Sequence, residues 1–129
     1  MAKIGALALI VASPLIAVPA AAAPAVAATP EVVVSQVVRE YLPYGPVVVT
    51  GTLTCSAPSG QAELTILSQS IAIGNPPLVW PAFATVPCAS GPVPYSVKVF
   101  PPPPGALMVS ASFTRDGVFE DSTTVIADV

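Results

Sequence analysis

Val47-Val48-Val49-Thr50-Gly51-Thr52-Leu53-Thr54-Cys55 decides the fold. Its odd positions are apolar or small and end in a cysteine, while after Val48 the even ones are Thr50, Thr52 and Thr54. Side chains of a strand point alternately to its two faces, so this stretch predicts a half-buried strand with Cys55 turned inward. The same period of two recurs along the chain. Ala62, Leu64 and Ile66 alternate with Glu63 and Thr65, and Tyr95, Val97 and Val99 alternate with Ser96 and Lys98. Leu107, Val109, Ala111 and Phe113 alternate with Ser110, Ser112 and Thr114, and Thr123, Val125, Ala127 and Val129 carry the pattern onward. Pro, Gly, Ser and Asn gather between the runs, at the spacing of an antiparallel β-sandwich of about seven or eight strands. A turn around Gln36–Tyr41 is the one hint of helical character. The expected fold class is all-β.

Composition narrows the chemistry. The chain has 129 residues, 17 of them Pro, with no His and two Cys, which excludes the usual Cys/His zinc centre and any His-dependent nucleophilic engine. Four basic residues against seven acidic ones exclude a phosphate-tracking nucleic-acid binder. Residues 1–28 have the layout of a secretory signal peptide: Lys3, then an apolar run from Ile4 to Ile16, then the small-residue site Val26-Ala27-Ala28. Pro14, Pro19 and Pro24 interrupt it well short of the roughly 20 apolar residues that a membrane span needs. Cleavage after Ala27 or Ala28 leaves a single domain, residues 29–129, without a membrane anchor. Its cations are Arg39, Lys98 and Arg115. Export places it in an oxidising compartment, so Cys55 and Cys88 are expected to form a disulfide.

Few side chains offer chemistry. Asp116, Glu120 and Asp121 lie close together near the end. Paired carboxylates can cleave a glycoside or hold calcium, but a solvated turn is the simpler reading and no EF-hand spacing is present. No Ser sits in a G-x-S-x-G elbow. Catalytic, cofactor and metal sites are therefore all expected to be none. Register arguments at this hairpin favour a three-residue Arg115-Asp116-Gly117 loop with Gly117 left-handed, pairing Phe113 with Phe119 and Leu107 with Val125. Asp121 is then the misfit on the inward face.

The aromatic residues supply the candidate contact surface: Tyr41, Tyr44 and Trp80. Pro43, Gly45 and Pro46 make Tyr41–Pro46 a loop, where exposed aromatics commonly meet a partner, whereas core packing is the commoner role for a Trp. Pro101–Pro104 is a polyproline II segment, read first as a stiff connector and second as a docking peptide.

Val49 to Cys55, Gln69 with Gly74, Cys88-Ala89-Ser90-Gly91, Tyr95 to Val99 and Pro104-Gly105-Ala106 together resemble small secreted actinobacterial β-sandwich domains of unknown function, over about residues 46–115. The spacing after Cys88 is one residue longer than usual, and Tyr95 stands where Trp is frequent. The resemblance implies export, a disulfide-bridged immunoglobulin-like sandwich and no known enzyme activity, and it carries over no functional residues. The 33-residue gap between the cysteines is shorter than that of antibody domains. Thr52 to Gly60 also resembles a fragment of secreted subtilisin-inhibitor-like proteins, which normally have a second disulfide. The expected function is that of a secreted, non-catalytic binding module at or near the cell envelope, with an unknown protein or an envelope glycan as partner. The alternatives are a secreted protease inhibitor and a carrier of a small apolar ligand.

Overall fold

β-Branched residues and period-two alternation produce strands wherever the sequence lets one face be buried. A computed structural model describes residues 28–71 and 78–129, none of them helical. The signal-peptide reading of residues 1–28 lies outside these apart from Ala28, as does Gly74. Among the described residues the strands are β1 (Glu31–Arg39), β2 (Val47–Thr54), β3 (Gln61–Ser70), β4 (Val79–Pro87), β5 (Val93–Val99), β6 (Ala106–Arg115) and β7 (Val118–Asp128). All pairings are antiparallel. One sheet has the order β1-β2-β5 and the other β4-β3-β6-β7.

The inward positions are those the alternation marks. Val47, Val49, Leu53 and Cys55 of the first sheet meet Leu64, Ile66, Leu107, Val109 and Phe113 of the second in one buried core. At roughly 25 cal/mol per Å² of apolar surface removed from water, this burial is the main force closing the sandwich. Cys55 follows β2 and Cys88 follows β4, so their disulfide joins the two sheets, with Cα atoms 5.7 Å apart.

One inward position is too small to fill its share of the core, and a neighbour uses the room. Gly51 pairs with Tyr95 across β2 and β5. The buried Tyr95 ring covers the glycine, and its hydroxyl donates to the Val33 carbonyl on β1 at 2.7 Å. A single side chain thereby fastens all three strands of the first sheet.

Gln36–Arg39 is strand rather than turn, and pairs with Val47–Thr50. The register shifts between Val34 and Gln36, leaving Ser35 as an extra residue. That bulge breaks the alternation along β1, which is why the segment does not read as a strand from its sequence.

The last hairpin also departs from expectation. Arg115 pairs with Val118, so the turn has two residues, Asp116 and Gly117, with φ of 52° and 79°. Both are left-handed, as a type I′ turn requires. The register shift falls farther along, beyond the Thr114–Phe119 pair, so Phe113 faces Asp121 and Leu107 faces Ala127, not Phe119 and Val125. The extra residue is Glu120. Moving the bulge out of the turn keeps the apolar parity of β7 and sends two carboxylates into the structure.

Two of the sheet edges, β4 and β5, are protected at the right places. Cys88 N–H donates to the Gly60 carbonyl and Ser70 N–H to the Leu78 carbonyl. Alternation from these pairs turns the N–H positions of Val79, Pro81, Phe83, Thr85 and Pro87 toward the open side of β4. Two of those five are prolines, which have no donor to offer and lose nothing there. By the same alternation Pro94 occupies an open-side position of β5.

Candidate functional site

The carboxylates near the end of the chain serve the fold. Asp121 accepts a hydrogen bond from the Val32 amide at 2.8 Å, an amide that the β1–β2 ladder leaves unpaired. Glu120 accepts from the Ser56 amide at 2.9 Å and from the Ser56 hydroxyl, and lies 3.8 Å from the Arg115 guanidinium. The two residues thus tie β7 to β1 and to the β2–β3 loop beside Cys55. Asp116 pairs with Arg115 at the exposed turn, a contact of small energetic weight. Among the described residues no group of three His, Cys, Asp or Glu is arranged to hold a metal. The misfit that alternation finds at Asp121 is therefore a sheet-to-sheet clasp. Asp121→Ala is expected to leave the Val32 amide without its acceptor and to cost about 1–3 kcal/mol in a urea melt. Asp121→Asn, which keeps an acceptor oxygen, should recover most of that loss.

The opposite end of the sandwich presents a different surface. Tyr41, Leu42 and Tyr44 are 69%, 84% and 73% exposed in the β1–β2 loop. The loop is nonetheless held. Gly45 N–H donates to the Tyr41 carbonyl at 2.7 Å, and Glu40 N–H to the Pro46 carbonyl at 2.9 Å. A Cβ at Gly45 would lie 2.5 Å from the Tyr41 nitrogen, so only glycine closes this turn. The peptide bond before Pro43 is cis.

Arg39 is the support beneath. Its side chain is buried at the end of β1 and donates from Nη1 to the Gly45 carbonyl (2.8 Å) and from Nη2 to the Pro102 carbonyl (2.7 Å). Guanidinium suits this task, since its fixed fork reaches two acceptors at once and stays charged. Pro102 is itself fully buried and anchors the polyproline segment, while Pro103 and Pro104 are exposed. Phe100, 74% exposed, adjoins the Val47–Val99 pair and so belongs to the same end as the loop. The nearest ion pair, Lys98 with Glu40 at 3.2 Å, is neutral overall. The loop thus presents three large exposed side chains, with Phe100 exposed at the same end of the sandwich and Arg39 as the buried cation beneath.

Of the aromatic residues singled out in the sequence, the structure brings Tyr41 and Tyr44 together. Trp80 is apart from them, on an inward position of β4, partly buried against the core beside Ala82 and Ala84. Leu42, Phe100 and Arg39 were not singled out. Parity identifies Phe100, because Val97 and Val99 point inward and the next residue along must point out. Arg39 gives no such signal: a cation at an inward position looks like a strand end until its two carbonyl partners are known.

Elsewhere among the described residues the surface has shallow, open depressions. One of about 270 Å³ lies beside the disulfide between Ser56–Pro58 and Ala89–Gly91. Another, of about 430 Å³, lies over β3 and β4, flanked by Glu63, Thr65 and Phe83. No protein-family model matches the chain, and no curated protein is similar to it in sequence.

Proposed function

We propose that this chain is an exported, non-catalytic, immunoglobulin-like domain that binds an envelope-associated protein or glycan through its Tyr41–Tyr44 loop. The observation that carries the reading is three large side chains at 69–84% exposure on a loop fixed by three hydrogen bonds, one of them from Arg39, which is itself anchored on Pro102. Adjacent exposed side chains of this size mark contact sites, and a loop already ordered gives up little entropy when it binds. Tyr adds a large rigid face with a polar tip, the usual chemistry of a binding surface. The non-catalytic part of the reading is supported by Glu120 and Asp121, whose carboxylates are occupied by structural hydrogen bonds. The disulfide is consistent with an extracellular protein. The immunoglobulin-like assignment is supported by seven antiparallel strands in sheets of three and four, with the fourth strand beside the third.

The test is retention on washed cell-wall material. The parent chain is expected to be retained, and a variant carrying Tyr41→Ser, Leu42→Ser and Tyr44→Ser to wash off while melting within a few degrees of the parent. Digesting the wall protein or the wall glycan beforehand tells which one is held. A parent that washes off, or a variant retained equally well, would remove this reading.

A further inference from the structure

The four outer strands of the two sheets are not equally guarded. β4 carries Pro81 and Pro87 on its open side, β5 carries Pro94 and Lys98, and β1 carries the Ser35 bulge and has its Val32 amide capped by Asp121. β7 carries only the Glu120 bulge and the inward Asp121 near its start, and beyond them only Asp128 at its far end. Gly105 and Val129 exchange both backbone hydrogen bonds, at 2.8 and 3.0 Å. Alternation from that pair turns the N–H and C=O groups of Ser122, Thr124, Ile126 and Asp128 to the open side. The segment contains no Pro, Gly, Lys or Arg, and Ser122 to Ile126 is rich in strand-forming residues. The core is also unsealed along it: Thr123, Val125 and Ala127 point inward yet remain partly exposed, unlike their β6 partners Ala111, Val109 and Leu107. A depression of about 260 Å³ opens there between Val34–Val37 of β1 and Val125–Ala127 of β7.

We infer that β7 is an assembly edge, and that its occupant is β7 of a second copy of this chain, paired antiparallel about a two-fold axis at Val125. The occupant is argued from register and charge. With Val125 opposite Val125 of the second copy, Thr124 faces Ile126 and Ser122 faces Asp128, so open-side positions meet open-side positions. About eight new backbone hydrogen bonds then form. Each carboxylate avoids its counterpart, since Asp128 lies across from Ser122 and Asp121 across from Val129. Sliding the pairing by two residues toward the turn would set Asp128 against Glu120, and sliding it the other way would lose one of the open-side pairs with its two hydrogen bonds, so both are disfavoured. The neighbouring stretch of β1, Val32 to Val38, has no charge to repel its own copy, and the paired Val125 side chains cover the unsealed strip of core. Such self-complementarity is what a two-fold interface demands. A single pair of strands is a small interface, so the dimer is weak and concentration-dependent.

Sedimentation velocity on the full chain, from micromolar to millimolar concentration, tests this. A reversible monomer–dimer equilibrium is expected. Thr124→Pro removes one open-side donor while sparing the β6–β7 ladder, and should leave a folded monomer at every concentration. Hydrogen exchange on the unaltered chain provides the second measurement, free of any folding defect in the variant. The amides of Thr124, Ile126 and Asp128 should gain protection as concentration rises, while the exposed amide of Gly117 should not. A monomer throughout, a dimer that survives Thr124→Pro, or amides indifferent to concentration would each overturn the inference.

Discussion

A chain in which Cys55 and Cys88 are both alanine is expected to melt roughly 15–30 °C below the parent. Cross-linking residues 33 apart removes about 3.5–4 kcal/mol of conformational freedom from the unfolded chain, and each kcal/mol shifts the melting point of a domain this size by about 4–8 °C. The position of the bridge argues for the upper part of that range. β2 and β4 lie in different sheets, and no hydrogen-bonded ladder runs between them. The bridge closes the end of the sandwich where the β2–β3 loop, Cys88 and the last hairpin meet, the end also held by Glu120 on Ser56. Without it, that contact must hold against two loops rich in Ser, Gly and Pro. Alanine is chosen because Cys55 is buried, and a serine would add the separate cost of an unpaired hydroxyl. Calorimetry of the oxidised parent beside the double variant gives the answer. A fall of only a few degrees would mean that core packing alone closes this end.

Most of the strand plan was legible because alternation survives wherever a strand is regular. β2, β3, β5 and β6 each keep one apolar row, and the row that points inward is the one the sequence marks. Legibility failed where a bulge shifts the phase. In β1, Val32 and Val34 face inward before Ser35, and Val37 and Arg39 after it, so no single period fits the whole segment. In β7 the bulge at Glu120 lets a two-residue turn coexist with correct apolar parity, a combination that a strict register excludes. The β7 bulge places polar side chains whose partners lie far off in sequence. Asp121 is 89 residues from Val32, and Glu120 is 64 residues from Ser56. Local pattern cannot reveal such pairs, since it is the folded topology that sets them side by side. The candidate surface divides in the same way. Tyr41 and Tyr44 are legible because Pro and Gly around them make a loop, while the Arg39 support depends on Pro102, 63 residues away.

Gly51→Ala is expected to be the most damaging single methyl addition among the described residues, costing at least about 3 kcal/mol. A Cβ built there would lie 1.8 Å from the Val33 carbonyl oxygen and 2.7 Å from the Tyr95 hydroxyl. The first atom belongs to the backbone of β1, so no rotamer change relieves the clash, and β1 must leave its place on β2. Undocking β1 would also release the Asp121 clasp on Val32. Hydrogen exchange should then show β1 and the amides of β2 that face it losing protection first, with β3 and β6 holding longest. Tyr95→Phe separates the clash from the hydrogen bond. It keeps the ring over Gly51, removes only the bond to Val33, and should cost about 1 kcal/mol. The same tyrosine gives the fold a pH signature. Burial pushes its hydroxyl from 10.0 up to about 12, so the folded chain keeps a proton that the unfolded chain gives up. The resulting stability is complete below pH 10 and is lost as pH rises toward about 12. Urea melts across that window should show the parent weakening more steeply than Tyr95→Phe. Parallel slopes for the two would mean that Tyr95 titrates as freely in the folded chain as in the unfolded one, and that the Val33 bond does not hold it.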